Sequence, residues 1–110
     1  MNPGNNNSII YSYSKLGNKY DKVFINNNDE EYHNKLRNMY RKVNCTDCNS
    51  TYASWATLKR GVFICINCAQ LLRADADNKI KSCMGTYLWH PDELDFMRKN
   101  YKKGIIKNIK

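Results

Sequence analysis

From Asp29 onward, apolar residues recur at helical spacing: Tyr32, Leu36, Met39, Tyr40 and Val43 fall on one stripe. Asp29 stands where an N-cap belongs, and Glu30 and Glu31 put negative charge in the first turn, where the helix dipole favours it. The spacing predicts an amphipathic helix from about Glu30 to Val43. Farther on, the apolar run Gly61-Val62-Phe63-Ile64 predicts a short strand. Ala69-Gln70-Leu71-Leu72-Arg73-Ala74 is rich in helix formers and predicts a short helix. Lys79 to Met84 alternate in polarity, which suits a strand with Ile80 and Met84 inward. Pro91 followed by Asp92-Glu93 marks a helix start, and Leu94, Met97 and Tyr101 supply its apolar face. Gly104 to Lys110 reads as a helix or tail cut short.

The segment ahead of this pattern is different. Met1 to Asn28 is rich in Asn, Ser and Tyr, with runs at Asn5-Asn6-Asn7 and Asn26-Asn27-Asn28. Such sequence has little apolar surface to offset the entropy of ordering it. It is expected to be disordered or weakly structured, with at most a short strand at Lys22-Val23-Phe24-Ile25. The chain therefore divides into a low-complexity segment, 1–28, and a folded domain, 29–110, shortened at its C-terminal end. There is no internal repeat.

Composition sharpens the picture at two points. A chain of 110 residues makes one small domain, and domains of that size often need a disulfide or a metal to hold them. Five cysteines provide the means, and the odd count argues against a fully paired disulfide framework. Met1 to Ser14 lacks the basic and apolar regions of a secretory leader, and no apolar run approaches the ~20 residues of a membrane span. A reducing, intracellular location is the expectation, and there CxxC pairs are more often metal sites than disulfides. The net charge of +8 is compatible with a solvated lysine-rich surface or with an acidic partner, whether nucleic acid, membrane or protein.

The cysteine spacing carries the chemistry. Cys45-x2-Cys48 is followed, after sixteen residues, by Cys65-x2-Cys68. Each pair can grip one ion from a tight turn, and two such knuckles complete a tetrahedral shell of four thiolates, the usual structural zinc site. A shell closed by four sulfurs leaves no position for water or substrate, so one structural Zn²⁺ should hold the fold without doing chemistry. Cys83 lies outside both knuckles and is expected to be a small buried hydrophobe. His33 and His90 are ligands on paper only, with His90 placed at the start of the Pro91 helix.

Around these cysteines the chain resembles the Arf GTPase-activating protein domain, the ArfGAP zinc finger. The carriers of the likeness are Cys45-Thr46-Asp47-Cys48, Trp55-Ala56 seven residues past the second cysteine, Gly61 and Phe63 ahead of the third, and Arg73 five residues after the fourth. Lys79-Ile80-Lys81-Ser82 matches the strand that follows, and Trp89, Leu94 and Met97 have the spacing of the next helix. The likeness covers roughly Glu30 to Asn100. It implies a small α+β zinc-binding domain, a short antiparallel sheet flanked by helices. It also implies a role that is not enzymatic in its own right: activation of a GTP-bound Arf-family small GTPase in vesicle traffic. The protein would be cytoplasmic, peripherally associated with Golgi or vesicle membranes. Arg73 would be the catalytic arginine finger. Trp55 would pack on the metal site, contact the GTPase, or both. Lys59 and Arg60 would face an acidic partner or simply solvent.

The chain also departs from the family. Ala69-Gln70-Leu71-Leu72-Arg73 replaces the usual Ser-Gly-x-His-Arg, so Leu72 stands where a histidine is usual. Ala74-Asp75-Ala76-Asp77-Asn78 is shorter than the family's segment by about two residues, and Asn49 replaces a glycine after the first knuckle. Two alternatives follow. One is a non-catalytic ArfGAP-like interaction module. The other is a GATA-type zinc finger that binds DNA through its positive charge. The second fits less well, because Ala56-Thr57 follows Trp55 where that type has two arginines.

Overall fold

The computed structural model describes residues 9–106. The Asn5-Asn6-Asn7 run and the last four residues of the predicted C-terminal tail lie outside the described residues.

The centre of the fold is a three-stranded antiparallel sheet of β4 (Trp55–Thr57), β5 (Val62–Ile64) and β6 (Ile80–Ser82), in the order β5-β4-β6. The register pairs Trp55 with Ile64 on one side and with Ser82 on the other. Gly61 makes the β4–β5 turn at φ +76, and a Cβ there would lie 2.5 Å from the Asn100 Cβ, so only glycine fits. Two helices pack beside the sheet, α2 (Asp29–Tyr40) and α4 (Pro91–Asn100), and contact each other. Between sheet and helices lies the core of Leu36, Phe63, Ile64, Trp89 and Met97, all fully buried. Phe63 meets Tyr40 and Tyr101 edge-on, and the Trp89 indole N–H donates to the Ser82 carbonyl at 2.9 Å. A short helix of seven residues, α3 (Ile66–Leu72), leaves β5 directly, and a 3-10 turn, Ala76–Asn78, leads into β6.

Helix α2 stops at Tyr40, short of the predicted Val43, which instead pairs in β3 (Val43–Asn44) with β7 (Ile105–Ile106). That pairing also corrects the predicted C-terminal helix or tail: residues 105–106 close a small ladder. Asn28, and not Asp29, occupies the N-cap of α2; Asp29 joins Glu30 and Glu31 in the first turn. Ile80 is buried as expected, but Met84 is 63% exposed, because β6 ends at Ser82. The inward position belongs to Lys81 as well, 3% exposed.

The N-terminal segment differs most from expectation. Residues 11–27 form a hairpin, β1 (Tyr11–Tyr13) and β2 (Lys19–Asp21), followed by α1 (Lys22–Asn27). The predicted strand at Lys22–Ile25 is thus a helix. Asp21 caps it by accepting from Val23 N at 2.9 Å, and Ile25 is its buried anchor. The hairpin is held mainly by polar contacts to the start of α4. Ser12 Oγ and His90 Nε2 lie 2.7 Å apart, Ser14 Oγ donates to Asp92 at 2.6 Å, and Lys15 N donates to Glu93 at 2.7 Å. Counting apolar residues underrates a segment held this way.

Those contacts cover a buried charge cluster. Lys81 Nζ donates to both Glu93 oxygens, at 2.7 and 2.9 Å, and the His90 backbone N–H donates to Glu93 Oε1 at 2.9 Å. Burial tends to raise the Glu93 pKa, but its donors outweigh that and hold the carboxyl below its ordinary 4.5. At Lys81 burial outweighs the attraction of Glu93, the carboxylate it hydrogen-bonds, and its pKa is lowered despite the pair. Removing one member of such a pair leaves the other buried and unpaired. Glu93→Gln is therefore expected to cost about 3 kcal/mol in urea unfolding, and Lys81→Met/Glu93→Gln considerably less. The sign with pH follows from the depressed Glu93 value: its contribution is complete above pH 4.5 and is lost as pH falls through the lower folded pKa. Acid titration of the wild type against Glu93→Gln should show that component vanish in the variant.

Candidate metal centre and the arginine beside it

Cys45, Cys48, Cys65 and Cys68 bring their sulfurs within 4.8 Å of one another. Tetrahedral coordination with metal–sulfur bonds of ~2.3 Å separates the sulfurs by roughly 3.8 Å. The Cys48 and Cys65 sulfurs lie 3.6 Å apart, near that spacing and far beyond the ~2.05 Å of a disulfide bond. Backbone turns build the cluster. Asn49 N donates to the Cys45 carbonyl and Cys45 N to the Ser50 carbonyl, both at 2.8 Å. Thr46 N ties the first knuckle to β5 through the Phe63 carbonyl. On the other side, Cys65 caps α3 and its sulfur accepts from Cys68 N at 3.5 Å.

The thiols crowd one another's titration. Burial pushes Cys65 up, but the Cys68 N–H and the neighbouring thiols outweigh it and bring Cys65 down to about 6. Cys68, half-buried among the same sulfurs, is pushed up by desolvation and by those neighbours. Negative charge confined among four thiols is what a thiophilic cation relieves, so the donor set fits a metal ion. Cys83 is buried outside the cluster, and burial raises its thiol pKa. His33 and His90 are also outside it, engaged with Asp29 and Glu93.

Asn49 shows how the knuckle tolerates the absence of glycine. Its φ is +65, the left-handed region, which asparagine enters more readily than other side chains. Its Oδ1 also accepts from Asn44 Nδ2 at 2.8 Å. Asn49→Gly should stay within about 1 kcal/mol of wild type, whereas Asn49→Val should cost about 2 kcal/mol, read as thermal melting of the metal-loaded protein.

Arg73 caps the C-terminal end of α3, its backbone N–H donating to Ala69 O at 2.9 Å, five residues beyond Cys68. The turn after it is pinned by Asn78 Nδ2, which donates to the Leu72 carbonyl at 2.8 Å. Leu72 itself packs partly against the core. The exposed Arg73 guanidinium lies 5.7 Å from the centre of the half-buried Trp55 ring, whose other neighbour is Tyr87, edge-on at 6.4 Å. Arg73, Tyr87, Asp75, Ala76, Ile80 and Lys15 line a polar cavity of about 250 Å³. Tyr87 and Lys15 had no signal in the sequence; their places depend on pairings across distant segments.

Lys59 and Arg60 differ from Arg73. Lys59 pairs with Asp77 at 2.9 Å, and Arg60 makes a two-pronged contact with Asp47 at 2.9 and 2.8 Å. The Arg60 contact holds the Asp47 carboxyl below its usual range and clamps the first knuckle to the β4–β5 turn.

Residues 30–107 match the ArfGap family model, described as "Putative GTPase activating protein for Arf". The chain belongs to the ArfGap family. Among curated ArfGap relatives, it is 37% identical over 57 residues to Arf-GAP with dual PH domain-containing protein 2 of Rattus norvegicus, a stretch covering 51% of this chain and 15% of the rat protein. Among solved structures, it superposes on the ArfGap domain of HIV-1 Rev binding protein with a TM-score of 0.61 at 21% identity, covering 74% of this chain and 63% of that one. A Cryptosporidium parvum chain, described as a "putative GTPase activating protein for ADP ribosylation factor", gives 0.59 at 22% identity, covering 67% of this chain and 63% of its own. The chain thus spans less than two thirds of each of these relatives. The predicted small α+β architecture, short antiparallel sheets with flanking helices about a four-cysteine cluster, is the ArfGap fold.

Proposed function

We propose that this ArfGap chain stimulates GTP hydrolysis on a GTP-bound Arf-family GTPase, with Zn²⁺ in the four-cysteine site and Arg73 supplied to the nucleotide as an arginine finger. One observation carries the reading. Of the three cations considered for the partner, Lys59 and Arg60 are neutralised by Asp77 and Asp47, whereas among the described residues no carboxylate pairs with Arg73. Its charge remains available to an incoming phosphate.

The chemistry suits that arrangement. GTP hydrolysis builds charge on phosphate oxygens in the transition state, and an arginine supplied in trans stabilises it. A guanidinium is planar, permanently charged and able to donate two parallel hydrogen bonds to those oxygens. The Trp55 ring limits where the Arg73 guanidinium can go, and Cys68 and Asn78 fix the backbone beneath it. Bound zinc, closed off by four thiolates, contributes rigidity alone. The reading also favours action on the cytoplasmic side of Golgi or vesicle membranes.

The test is single-turnover GTP hydrolysis by an Arf-type GTPase with increasing amounts of the zinc-loaded protein. Acceleration that saturates supports the proposal. Saturable binding with an unchanged rate would instead make the chain an interaction module. Tight duplex binding that weakens steeply with salt, with no effect on any Arf-type GTPase, would favour the DNA-binding reading.

A further inference from the structure

We propose that Lys15 is a second cation of the Arg73 site and meets the same anionic group on the GTP-bound partner, an inference that rests on the function proposed above. Lys15 belongs to the hairpin turn ahead of the family-matched residues, yet it lines the cavity that Arg73 and Tyr87 line. The turn that carries it is rigidly held. Ser14 N donates to Asn18 O at 2.8 Å, and Ser14 Oγ accepts from Asn18 N at 3.0 Å. Asn18 Nδ2 and Ser14 Oγ both donate to Asp92, each at 2.6 Å. Lys15's own backbone N–H is tied to the buried Glu93. The backbone is fixed while the side chain is exposed, and among the described residues no carboxylate pairs with its ammonium.

The cavity's size and lining indicate what it takes. At about 250 Å³ it is smaller than the ~300–1,000 Å³ typical of small-molecule pockets, so it suits a group presented by a partner better than a free nucleotide. Its one carboxylate, Asp75, already caps the 3-10 turn by accepting from Asp77 N at 2.9 Å. Arg73 and Lys15 together leave the lining net positive. A lysine is a compact point charge without bidentate geometry, so its part is to attract and retain the partner's phosphates while Arg73 addresses the transition state.

The experiment separates this from the parent reading by measuring binding apart from hydrolysis. The zinc-loaded chain is titrated into an Arf-type GTPase holding a fluorescent, non-hydrolysable GTP analogue. Lys15→Gln should raise the half-saturating concentration about fivefold at low salt, with the difference shrinking as salt is added. Lys15→Arg should bind as wild type. Because the backbone N–H contact to Glu93 survives both substitutions, melting temperatures should be unchanged. In an Arg73→Ala background the Lys15→Gln effect should differ from its effect in wild type, as expected for two cations on one group. Wild-type binding by Lys15→Gln, or equal weakening by Lys15→Gln and Lys15→Arg, would overturn the inference and leave the proposed function standing. If the wild-type chain does not bind the loaded GTPase, both fall together. If it binds without accelerating hydrolysis, only the catalytic part of the proposed function fails, and the titration still decides Lys15.

Discussion

Arg73→Lys is expected to reduce the stimulated rate of GTP hydrolysis by ~10³-fold or more, close to that of the GTPase alone, since an arginine finger is worth ~10³–10⁵ in rate. Lysine keeps the charge but loses the planar fork that donates two parallel hydrogen bonds. Arg73 is exposed and its backbone contact to Ala69 does not depend on the side chain, so the variant should melt as the wild type does. The loss should appear in the maximal rate at saturating protein, with half-saturation much less affected, because the interaction is stronger in the transition state than in the ground state. Trp55→Leu should fall between the two proteins, freeing the guanidinium without removing it. A lysine variant that retains most of the stimulation would refute the finger role for Arg73.

Stripping the metal should have the largest effect on stability. Structural zinc contributes an apparent ~10–16 kcal/mol in small metal-dependent domains, comparable with or above the ~5–15 kcal/mol net stability of ordinary ones. Cys45 and Cys65 are buried within the core, and the knuckles tie β5 to the start of α3. Without an ion, thiols crowded to 3.6 Å must either hold protons at close quarters or repel as thiolates. Chelation at neutral pH should therefore collapse the cooperative thermal transition, and Cys65→Ser should do so without chelator. Returning one equivalent of zinc should restore the transition in the wild type only. The order of loss on mild chelation is informative too: Arg73 stands on α3, so stimulation should disappear before the Lys81–Glu93 side of the molecule unfolds. A chain that keeps its transition with less than a tenth of an equivalent of metal would contradict the structural role.

The local patterns were legible because they obey local rules. Two cysteines three apart can grip one ion whatever the rest of the chain does, so the four-cysteine cluster could be read from Cys45, Cys48, Cys65 and Cys68 alone. Periodicity identified α2 and α4, and Pro91-Asp92-Glu93 marked where α4 begins. The same local reading failed at Lys22–Ile25. Its β-branched and aromatic residues suggested a strand, while the Asp21 cap and the burial of Ile25 make it a helix. It failed again at Met84, because alternation gives a direction to each side chain but not the residue at which pairing stops.

What the sequence determined by itself was the four-cysteine cluster, the two main helices and the place of Arg73 just beyond the fourth cysteine. What only the tertiary structure decided was which charges are spent and which remain available. Lys59, Arg60, Arg73 and Lys81 are all plain cations in the sequence, yet three of them find a carboxylate 12 to 18 residues away, at Asp77, Asp47 and Glu93, and Arg73 finds none among the described residues. The N-terminal hairpin was likewise invisible, because its hold comes from Ser12, Ser14 and Lys15 reaching 78 residues along the chain to His90, Asp92 and Glu93. Hydrogen bonds and ion pairs act over about 3 Å and depend on geometry, and in this chain that geometry exists only once the sheet and helices have packed.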